Sequence, residues 1–573
     1  MRTFPTAETL QRAPFGLADV AVIITALTVL ALIAHLGSDM LVQFQPDVPL
    51  PEIDLDPRRL PYYAGRSTLR MFIALFVSTV FTLIYGYVAA NSRRAEKILI
   101  PLLDILQSVP VLGFLSITVT GFIALFPGSL LGLEAASIFA IFTSQVWNMT
   151  FSFYQSLRTI PRELDEAARL YQLSRWQRFT KLEVPSAMVG LLWNAMMSFG
   201  GGWFFVAESE AISVLNKEYI LPGLGSYVAT AIAKENLGAL GWALLTIAIV
   251  IVAVDQLFWR PLVAWSDKFR LEQSASAEVP SSWMYELITT ARLPSLLGNL
   301  FAPLAEELDR FLSDLSRLLP APLGDGEVNN DRWFNFLLWL VTGLLIAQAL
   351  HFVIRTAGIA EVFKVLGLGL LTLLRVMVLL VVATLIWTPV GVAIGFNPKL
   401  ARFLQPVVQF LASFPANFVF PFATVFFIRS GISLNWGSIL LMSLGAQWYI
   451  LFNSIAGAQS IPTDLREMAD DIGLRGWKRW QRLIIPGIFS AWVTGGITAS
   501  GGAWNASIVS EIVSWGNTTL TAQGLGAYIS EATNQGNWAR ITLGIGIMSL
   551  FVVGLNRLFW RRLYQLAESK YHL

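Results

Sequence analysis

One stretch of this chain occurs twice, and the spacing between its two copies stays constant along its length. Prolines, acidic residues and tryptophans of the first copy recur 301 positions later. The pairs are Pro161 and Pro462, Glu166 and Glu467, Trp176 and Trp477, and Pro185 and Pro486. Upstream the spacing is 305, as from Pro110 to Pro415, so the first copy has four extra residues between Pro110 and Trp147 and is expected to have a longer loop there. A repeat this long is typical of a duplicated unit, so the chain should fold as two similar halves.

The composition places these halves in a membrane. The 573 residues are 55% hydrophobic and only 14% charged, which is too apolar for a water-soluble domain. Twelve apolar runs approach the roughly 20 residues that cross a bilayer. They lie near 17–36, 68–90, 98–126, 135–157, 185–212 and 238–262, and near 333–354, 372–395, 401–428, 437–457, 486–512 and 538–560. We therefore predict an all-α integral membrane protein of about 12 transmembrane helices, arranged as two parallel six-helix repeats.

Charge distribution predicts the orientation of these helices. Lys and Arg are concentrated in the loops near 93–97 and 158–181 and after the sixth span, which predicts that this side is cytosolic. An even number of spans then puts both termini in the cytosol. The net charge of +2 gives no reason to expect nucleic acid as a partner, and the absence of cysteine excludes disulfides and thiolate metal sites. The first apolar run is too long for a signal-peptide core and is expected to persist as a membrane anchor.

A polar segment separates the two repeats. We assign residues 1–262 to the first repeat, 263–332 to a cytosolic linker and 333–573 to the second repeat. In the linker, leucines and a phenylalanine recur every three or four residues between 300 and 319, which predicts an amphipathic helix. We expect this helix to lie on the bilayer surface or to pack on its own protein. A regulatory or partner-docking role is the alternative.

The duplicated loops, at about 158–183 and 459–484, each predict a short cytosolic helix. Thr159 and Ser460 are candidate caps, followed by proline and acidic residues that favour a helix N-terminus. Gly473 suits the left-handed turn that ends such a helix. Prolines then stand where the next span should begin.

The loop sequence resembles the signature of the membrane subunits of ATP-binding-cassette (ABC) importers, in which Glu-Ala-Ala is followed by a glycine, two aliphatic residues and a proline. The first copy has Gln172 where the family has glycine, and the second has Met468 where the family has alanine. The matching residues and positions are Glu166, Ala167, Ala168, Gln172 and Pro185, and Glu467, Ala469, Gly473 and Pro486. Two ordinary amphipathic loop helices are the alternative interpretation.

This resemblance implies a fold like that of type I ABC importers and an ATPase-coupling role for both loops. It implies two ATPase subunits, as a homodimer or heterodimer, and a periplasmic binding protein as partners, besides membrane lipids, in a bacterial inner membrane. No Walker motif occurs in the sequence, so we expect no cofactor on this chain and ATP with magnesium on the partner subunits.

Further motifs resemble the nitrate, sulfonate, taurine and bicarbonate class of these permeases, and its duplicated anion-transport members in particular. They are Ser67-Thr-Leu-Arg70, Thr372-Leu-Leu-Arg375, Gly223-Leu-Gly225 with Tyr227, and Gly524-Leu-Gly526 with Tyr528. The resemblance implies import of a small anion by alternating access. An ion-coupled transporter of twelve spans remains the alternative, and a membrane enzyme is disfavoured because the three histidines form no metal motif.

Several matched residues are candidates for the substrate pathway. Irregular backbone at membrane depth is tolerated where it lines a wet cavity, and amide and indole N–H groups can donate to an oxyanion. The candidates are Ser108, Pro110, Trp147, Asn148 and Trp203, then Ser413, Pro415, Gln447, Trp448, Trp504 and Asn505, with Arg70 and Arg375 at the outer ends of their spans. Packing kinks, core tryptophans and arginines that extend to the interface are the alternatives.

Three acidic residues near the outer ends of two spans complete the predictions. Glu210 and Glu511 are expected at the interface rather than in the core, because they lie about 25 residues beyond Pro185 and Pro486. Glu208 is matched by Val509, so it makes the two halves chemically unequal.

Overall fold

The computed structural model describes residues 16–43, 52–108, 115–214, 217–269, 282–318 and 331–570. The first half consists of helices and one small hairpin. Its elements are α1 (Leu17–Ser38), α2 (Leu60–Asn91), α3 (Arg93–Ser108), α4 (Leu115–Leu125), α5 (Leu131–Arg158), α6 (Arg162–Leu170), α7 (Arg175–Arg178), α8 (Val184–Glu210), β1 (Ala211–Val214), β2 (Lys217–Ile220), α9 (Leu224–Ala233), α10 (Leu237–Val254) and α11 (Arg260–Ser266).

The linker adds two helices, and the second half repeats the order of the first. These elements are α12 (Trp283–Thr290), α13 (Leu293–Leu318), α14 (Asp331–Ala357), α15 (Ile359–Phe396), α16 (Pro398–Ser413), α17 (Phe420–Ser430), α18 (Leu434–Ser460), α19 (Thr463–Asp471), α20 (Gly476–Arg479), α21 (Ile485–Ser510), β3 (Ile512–Trp515), β4 (Thr518–Thr521), α22 (Leu525–Asn534), α23 (Trp538–Leu555) and α24 (Arg561–Lys570).

Details of the backbone confirm the duplication. A π-helical turn precedes the long fifth span in each half, at Phe179–Glu183 and Trp480–Ile484, and another interrupts the last span, at Asp255–Trp259 and Asn556–Trp560. Both antiparallel hairpins begin directly after or one residue beyond the fifth span. The longer loop predicted for the first copy is confirmed: five residues, 126–130, separate α4 from α5, whereas three, 431–433, separate α17 from α18.

Long apolar helices confirm an all-α membrane architecture. Within the described ranges, nine helices are long and apolar enough to cross a membrane, and Leu131–Arg158 is a further 28-residue helix outside that group. The third predicted span is divided in both halves: α3 ends at Ser108 and α4 begins at Leu115, while α16 ends at Ser413 and α17 begins at Phe420. The total of twelve spans therefore stays a prediction.

The two halves interlock through these divided spans. α3 packs against α23 of the second half, and α16 packs against α8 and α10 of the first. One buried cluster joins Val119, Leu133 and Leu221 to second-half residues such as Trp504, and another places Phe418 among first-half residues. Each half thus contributes residues to the core of the other.

Candidate functional site

The helices of the duplicated loops, α6 and α19, are buried on one face and exposed on the other. Ala168 and Ala469 are buried, and Ala469 packs in a small cluster with Leu483 and Ile484. Glu166 and Glu467, two residues earlier, are exposed. Two residues are about 200° apart around a helix, so the buried alanine turns the carboxylate outward. Ala167 is half-buried.

The ends of these helices partly match the predictions. Thr159 and Ser460 do not cap α6 and α19, since their hydroxyls donate to carbonyls of the preceding helix, to Gln155 O at 3.0 Å and Gly457 O at 2.8 Å. The capping prediction was therefore wrong; the N-cap positions are prolines without a side-chain cap.

The turn after each loop helix has the same left-handed backbone. Gly473 has φ +70°, as its glycine predicts, and Gln172 adopts φ +51° at the matching position. The departure from glycine at residue 172 therefore leaves the turn in place, although a non-glycine residue is strained there. Pro185 and Pro486 lie in the first turns of α8 and α21, as predicted.

Each loop is closed by a different ion pair. Arg178 contacts Asp165 at 2.7 Å and Glu183 at 3.1 Å, whereas its counterpart Arg479 contacts Asp470 at 2.5 Å. In the second loop Arg466 donates to the carbonyls of Ala458 and Ile461. Partial burial, with the nearby Arg479 charge, lowers the pKa of Arg466. Ion pairs or hydrogen bonds within each loop thus help to fix its geometry, and these contacts do not involve Glu166 or Glu467.

A tight contact between the halves lies at the end of α16. A Cβ added to Gly200 of α8 would lie 2.5 Å from Ser413 Oγ, so glycine is required for this approach. A cavity of about 260 Å³ beside it is lined by Trp203, Phe199, Gln409 and Ser413 among others. Of the predicted pathway residues, the structure therefore brings Trp203 and Ser413 together.

The other pathway candidates do not gather at this cavity. Trp147 lies edge-on to Phe81, with ring centroids 6.2 Å apart, and Trp448 packs against Trp387 at 5.3 Å. Three more candidates form hydrogen bonds elsewhere: Asn148 with Gln107 (3.2 Å), Gln447 with the Trp387 indole (3.0 Å) and Asn505 with Gly501 O (3.2 Å). Trp504 stacks on the Phe551 ring. Pro415 is buried at the break, α3 ends at Ser108, and Pro110 lies outside the described residues.

Glu208 lies at a second contact between the halves. Its Oε1 accepts a hydrogen bond at 2.8 Å from Asn417 Nδ2, which also donates to Phe204 O at 3.1 Å. Asn417 lies within the break between α16 and α17, two residues after Pro415, and the second half has Val509 in place of Glu208. A carboxylate therefore occurs at this inter-half contact on one side only.

The family comparison agrees with this duplicated architecture. The family described as "Binding-protein-dependent transport system inner membrane component" matches residues 78–258 and again 387–568. The chain belongs to this family. It is a permease of ABC transport systems, and it carries the permease domain twice.

Curated permeases of this type are similar to the chain at low identity. The trimethylamine N-oxide permease TmoV of Pelagibacter ubique is 24% identical over 84% of this chain and 68% of its own length. The bicarbonate permease CmpB of Synechococcus elongatus is 29% identical over 29% of this chain, and the nitrate permease NrtB of Leptolyngbya laminosa is 26% identical over 27%. The chain spans only 56% of the length of CmpB and of NrtB.

The permease also contains a buried ion cluster, which corrects the predictions for Arg70 and Arg375. Arg70 is fully buried, with its guanidinium between Glu134 (2.6 and 2.7 Å) and Glu210 (2.6 Å). Arg375 is 7% exposed and contacts Glu511 at 2.7 Å. Neither guanidinium extends to the interface or is free for an anion, because carboxylates already neutralise it. The prediction that Glu210 and Glu511 are interfacial was wrong, since both are fully buried.

The glycines of the Gly-Leu-Gly motifs belong to this cluster. Glu210 accepts from the Gly225 N–H at 2.7 Å, and Glu511 accepts from the Gly526 N–H at 2.8 Å. A Cβ on Gly223 would lie 2.2 Å from the Glu210 carboxyl carbon, so a side chain there would displace the carboxylate. Sequence reasoning named these residues separately and missed Glu134. The signal that could have joined them was that arginine, acid and glycines recur together in both halves.

Proposed function

We propose that this chain forms both membrane subunits of an ATP-driven importer, and that separate ATPase subunits bind its two coupling loops. The observation that carries this proposal is the matched pair of helices α6 and α19. Each is fixed by a buried alanine and presents an exposed glutamate, Glu166 or Glu467, away from the bundle. An exposed acidic helix repeated at equivalent loops is a suitable surface for two similar partner subunits.

The path from a coupling loop to the inter-half contact is short and continuous. α7 continues through the π-helical turn Phe179–Glu183 directly into α8. α8 carries Gly200, which lies against Ser413 of the other half. Movement of the first coupling loop would therefore be transmitted along one helix to the contact that must separate if the halves open alternately.

The proposed substrate is a small anion delivered by a periplasmic binding protein. The nitrate and bicarbonate permeases among the similar proteins support this class. The oxyanion would be bound by hydrogen-bond donors rather than by Arg70 or Arg375, whose charges are already paired.

A small zwitterion is the second candidate, and Glu208 favours it. This carboxylate at the inter-half contact would repel an anion but would attract a positively charged nitrogen. The trimethylamine N-oxide permease, which matches over 84% of this chain, supports the same class.

Charge reversal at the coupling loops tests the proposed partners. Glu166→Arg with Glu467→Arg should abolish copurification of the ATPase and ATP-driven uptake into proteoliposomes. Glu531→Arg is the matched control, because Glu531 is an exposed acid on α22, remote from both loops. Unchanged ATPase binding in the double variant would contradict the proposal. Uptake driven by an ion gradient without ATP would instead favour the secondary-transporter alternative.

Substitution of Glu208 separates the two substrate classes. Glu208→Val copies the second half and removes the charge, whereas Glu208→Gln removes the charge but keeps an acceptor for Asn417. If the substrate is an anion, both variants should retain or increase uptake of nitrate or bicarbonate. If it is a zwitterion, both should lose uptake of trimethylamine N-oxide. Ligand screening on the cognate binding protein provides an independent readout.

A further inference from the structure

Among the residues that the structure describes, the linker helix α13 packs against the first coupling loop, and its hydrogen bonds to a coupling loop go to the first one. Trp176 Nε1 donates to Asp309 Oδ1 at 2.8 Å, and Ser174 Oγ donates to Ser313 Oγ at 3.1 Å. Ser174 and Ser313 are both buried by this contact. In the second loop the matching tryptophan, Trp477, is 67% exposed. The linker therefore makes the two coupling loops structurally unequal.

The opposite face of α13 is apolar and exposed. Asp309 and Ser313 lie roughly 140° or more around the helix from Leu304 and Phe311. The exposed apolar side chains are Leu296 (49%), Leu300 (70%), Phe301 (56%), Leu304 (64%), Leu308 (55%), Phe311 (63%), Leu315 (39%) and Leu318 (82%). Transfer of each such side chain from water to an apolar environment lowers the free energy, so this face is more stable against an apolar surrounding than in water.

The start of α13 lies beside a membrane span. The Arg292 N–H, one residue before α13, donates to Asp19 Oδ1 at 2.5 Å. Asp19 is in the first turn of α1, which is apolar, long enough to span and almost entirely exposed to its surroundings. A helix that begins at the end of such a span begins at the surface of the bilayer. Its apolar face is therefore next to lipid, and lipid is the occupant that the position of the helix favours.

Charge gives this surface no preference for anionic lipid. The polar part of α13 carries four acidic residues and two arginines, so its net charge is negative. Burial of the leucines and phenylalanines, together with the attachments at Asp19 and Trp176, must supply the binding energy.

We propose that α13 is a one-sided brace: its apolar face lies in the cytosolic leaflet of the bilayer while its polar face holds the first coupling loop. The first coupling loop is then tied to the membrane surface, and the second moves without this restraint. The lipid contact does not depend on the proposed transport function and can be measured without a transport assay.

Single cysteines test the lipid contact directly, because the chain has no native cysteine. Leu304→Cys and Phe311→Cys report on the apolar face, and Arg310→Cys and Asp314→Cys are exposed polar controls on the same helix. An environment-sensitive fluorophore at each site is measured in phosphatidylcholine proteoliposomes. Labels at 304 and 311 should be quenched several-fold more by doxyl lipid, and less by aqueous iodide, than labels at 310 and 314.

Three results would overturn the lipid assignment. Equal iodide quenching at all four sites would show that the apolar face is in water. Shielding of 304 and 311 that appears only when the ATPase is added would identify a protein partner. Shielding that depends on the protein-to-lipid ratio would identify a second copy of the chain.

The restraint on the first coupling loop has its own test. Spin labels on Tyr171→Cys and Ile472→Cys report on exposed, equivalent positions in the two loops. Asp309→Ala should increase the mobility of the label at 171 and leave the label at 472 unchanged, and Asp314→Ala should change neither. Equal mobility at 171 with Asp309 present or absent would contradict the brace.

Discussion

The two duplicated loops have the same backbone path, but their acidic and basic residues stand in the opposite order. Asp165 and Arg169 of α6 occupy the positions that Arg466 and Asp470 occupy in α19. Arg178 and Arg479 stand at one position, yet the first pairs with Asp165 and the second with Asp470. The duplicated unit has thus kept the ion pair that closes the loop while the acid has moved by one helical turn. The geometry of the loop, rather than a particular residue pair, is what both halves maintain.

The buried ion clusters differ in a related way. The first half buries Arg66 and Arg70 with Glu134 and Glu210. The second half has leucine in place of Arg66 and Asn435 in place of Glu134; the Asn435 amide oxygen accepts from Arg375 at 2.9 Å. One positive and one negative charge have been replaced together, so each cluster stays neutral.

The largest expected effect comes from breaking this neutrality in the first half. Glu134→Asn copies the second half alone and leaves Arg66 and Arg70 with one buried carboxylate. Removal of one partner from a buried ion pair is expected to lower the free energy of unfolding by about 3–5 kcal/mol. Denaturant titration in mixed micelles measures this change.

The matched rescue is Arg66→Leu in the same chain. The double variant Arg66→Leu, Glu134→Asn reproduces the composition of the second cluster and should recover most of the lost stability. If the double variant were as unstable as the sum of both single variants, charge balance would not be what distinguishes the two clusters.

An intermediate effect is expected at the loop arginines. Arg178→Ala leaves Glu183, whose side chain is only 3% exposed, without its ion pair and should lower stability by about 1–2 kcal/mol. Arg479→Ala removes a pair with Asp470, which is 58% exposed, and should lower it by less than about 1 kcal/mol. Hydrogen exchange of α6 and α19 measures both losses. Equal losses would show that the two loops are closed equally firmly.

The smallest effect is expected at the turns. Gln172→Gly removes the strain of a non-glycine residue in the left-handed region, and it also adds backbone freedom to the unfolded chain. The relief of strain is the larger effect, so the free energy of unfolding should rise by about 0.5–1 kcal/mol. Gly473→Gln is the mirror variant and should lower stability by a similar amount. Thermal unfolding of the two single variants compares them, and a loss of stability in Gln172→Gly would mean that the Gln172 side chain makes a stabilising contact.

Local sequence patterns were sufficient to predict the fold class, the duplication and the loop helices. The 301-residue spacing, Gly473 and Pro185 each specify backbone geometry through neighbours in the chain, and the structure confirms each. The predictions for Arg70, Glu210 and Glu511 failed because they used distance along a helix to assign exposure. Residues near the end of a span can still be buried when another segment packs over them, as Gly225 and Gly526 do here.

The sequence by itself determined that this protein is a duplicated bundle of membrane helices with two matched loops, because apolar run length, repeat spacing and turn residues act locally. Only the tertiary structure decided which buried charges are paired, that Asn417 of the second half donates a hydrogen bond to Glu208 of the first, and that α13 packs on the first of the two loops. These contacts join residues between about 60 and 210 positions apart. Buried charge is stable only when its partner is within hydrogen-bond distance, and that distance is set by how the helices pack rather than by their order in the chain.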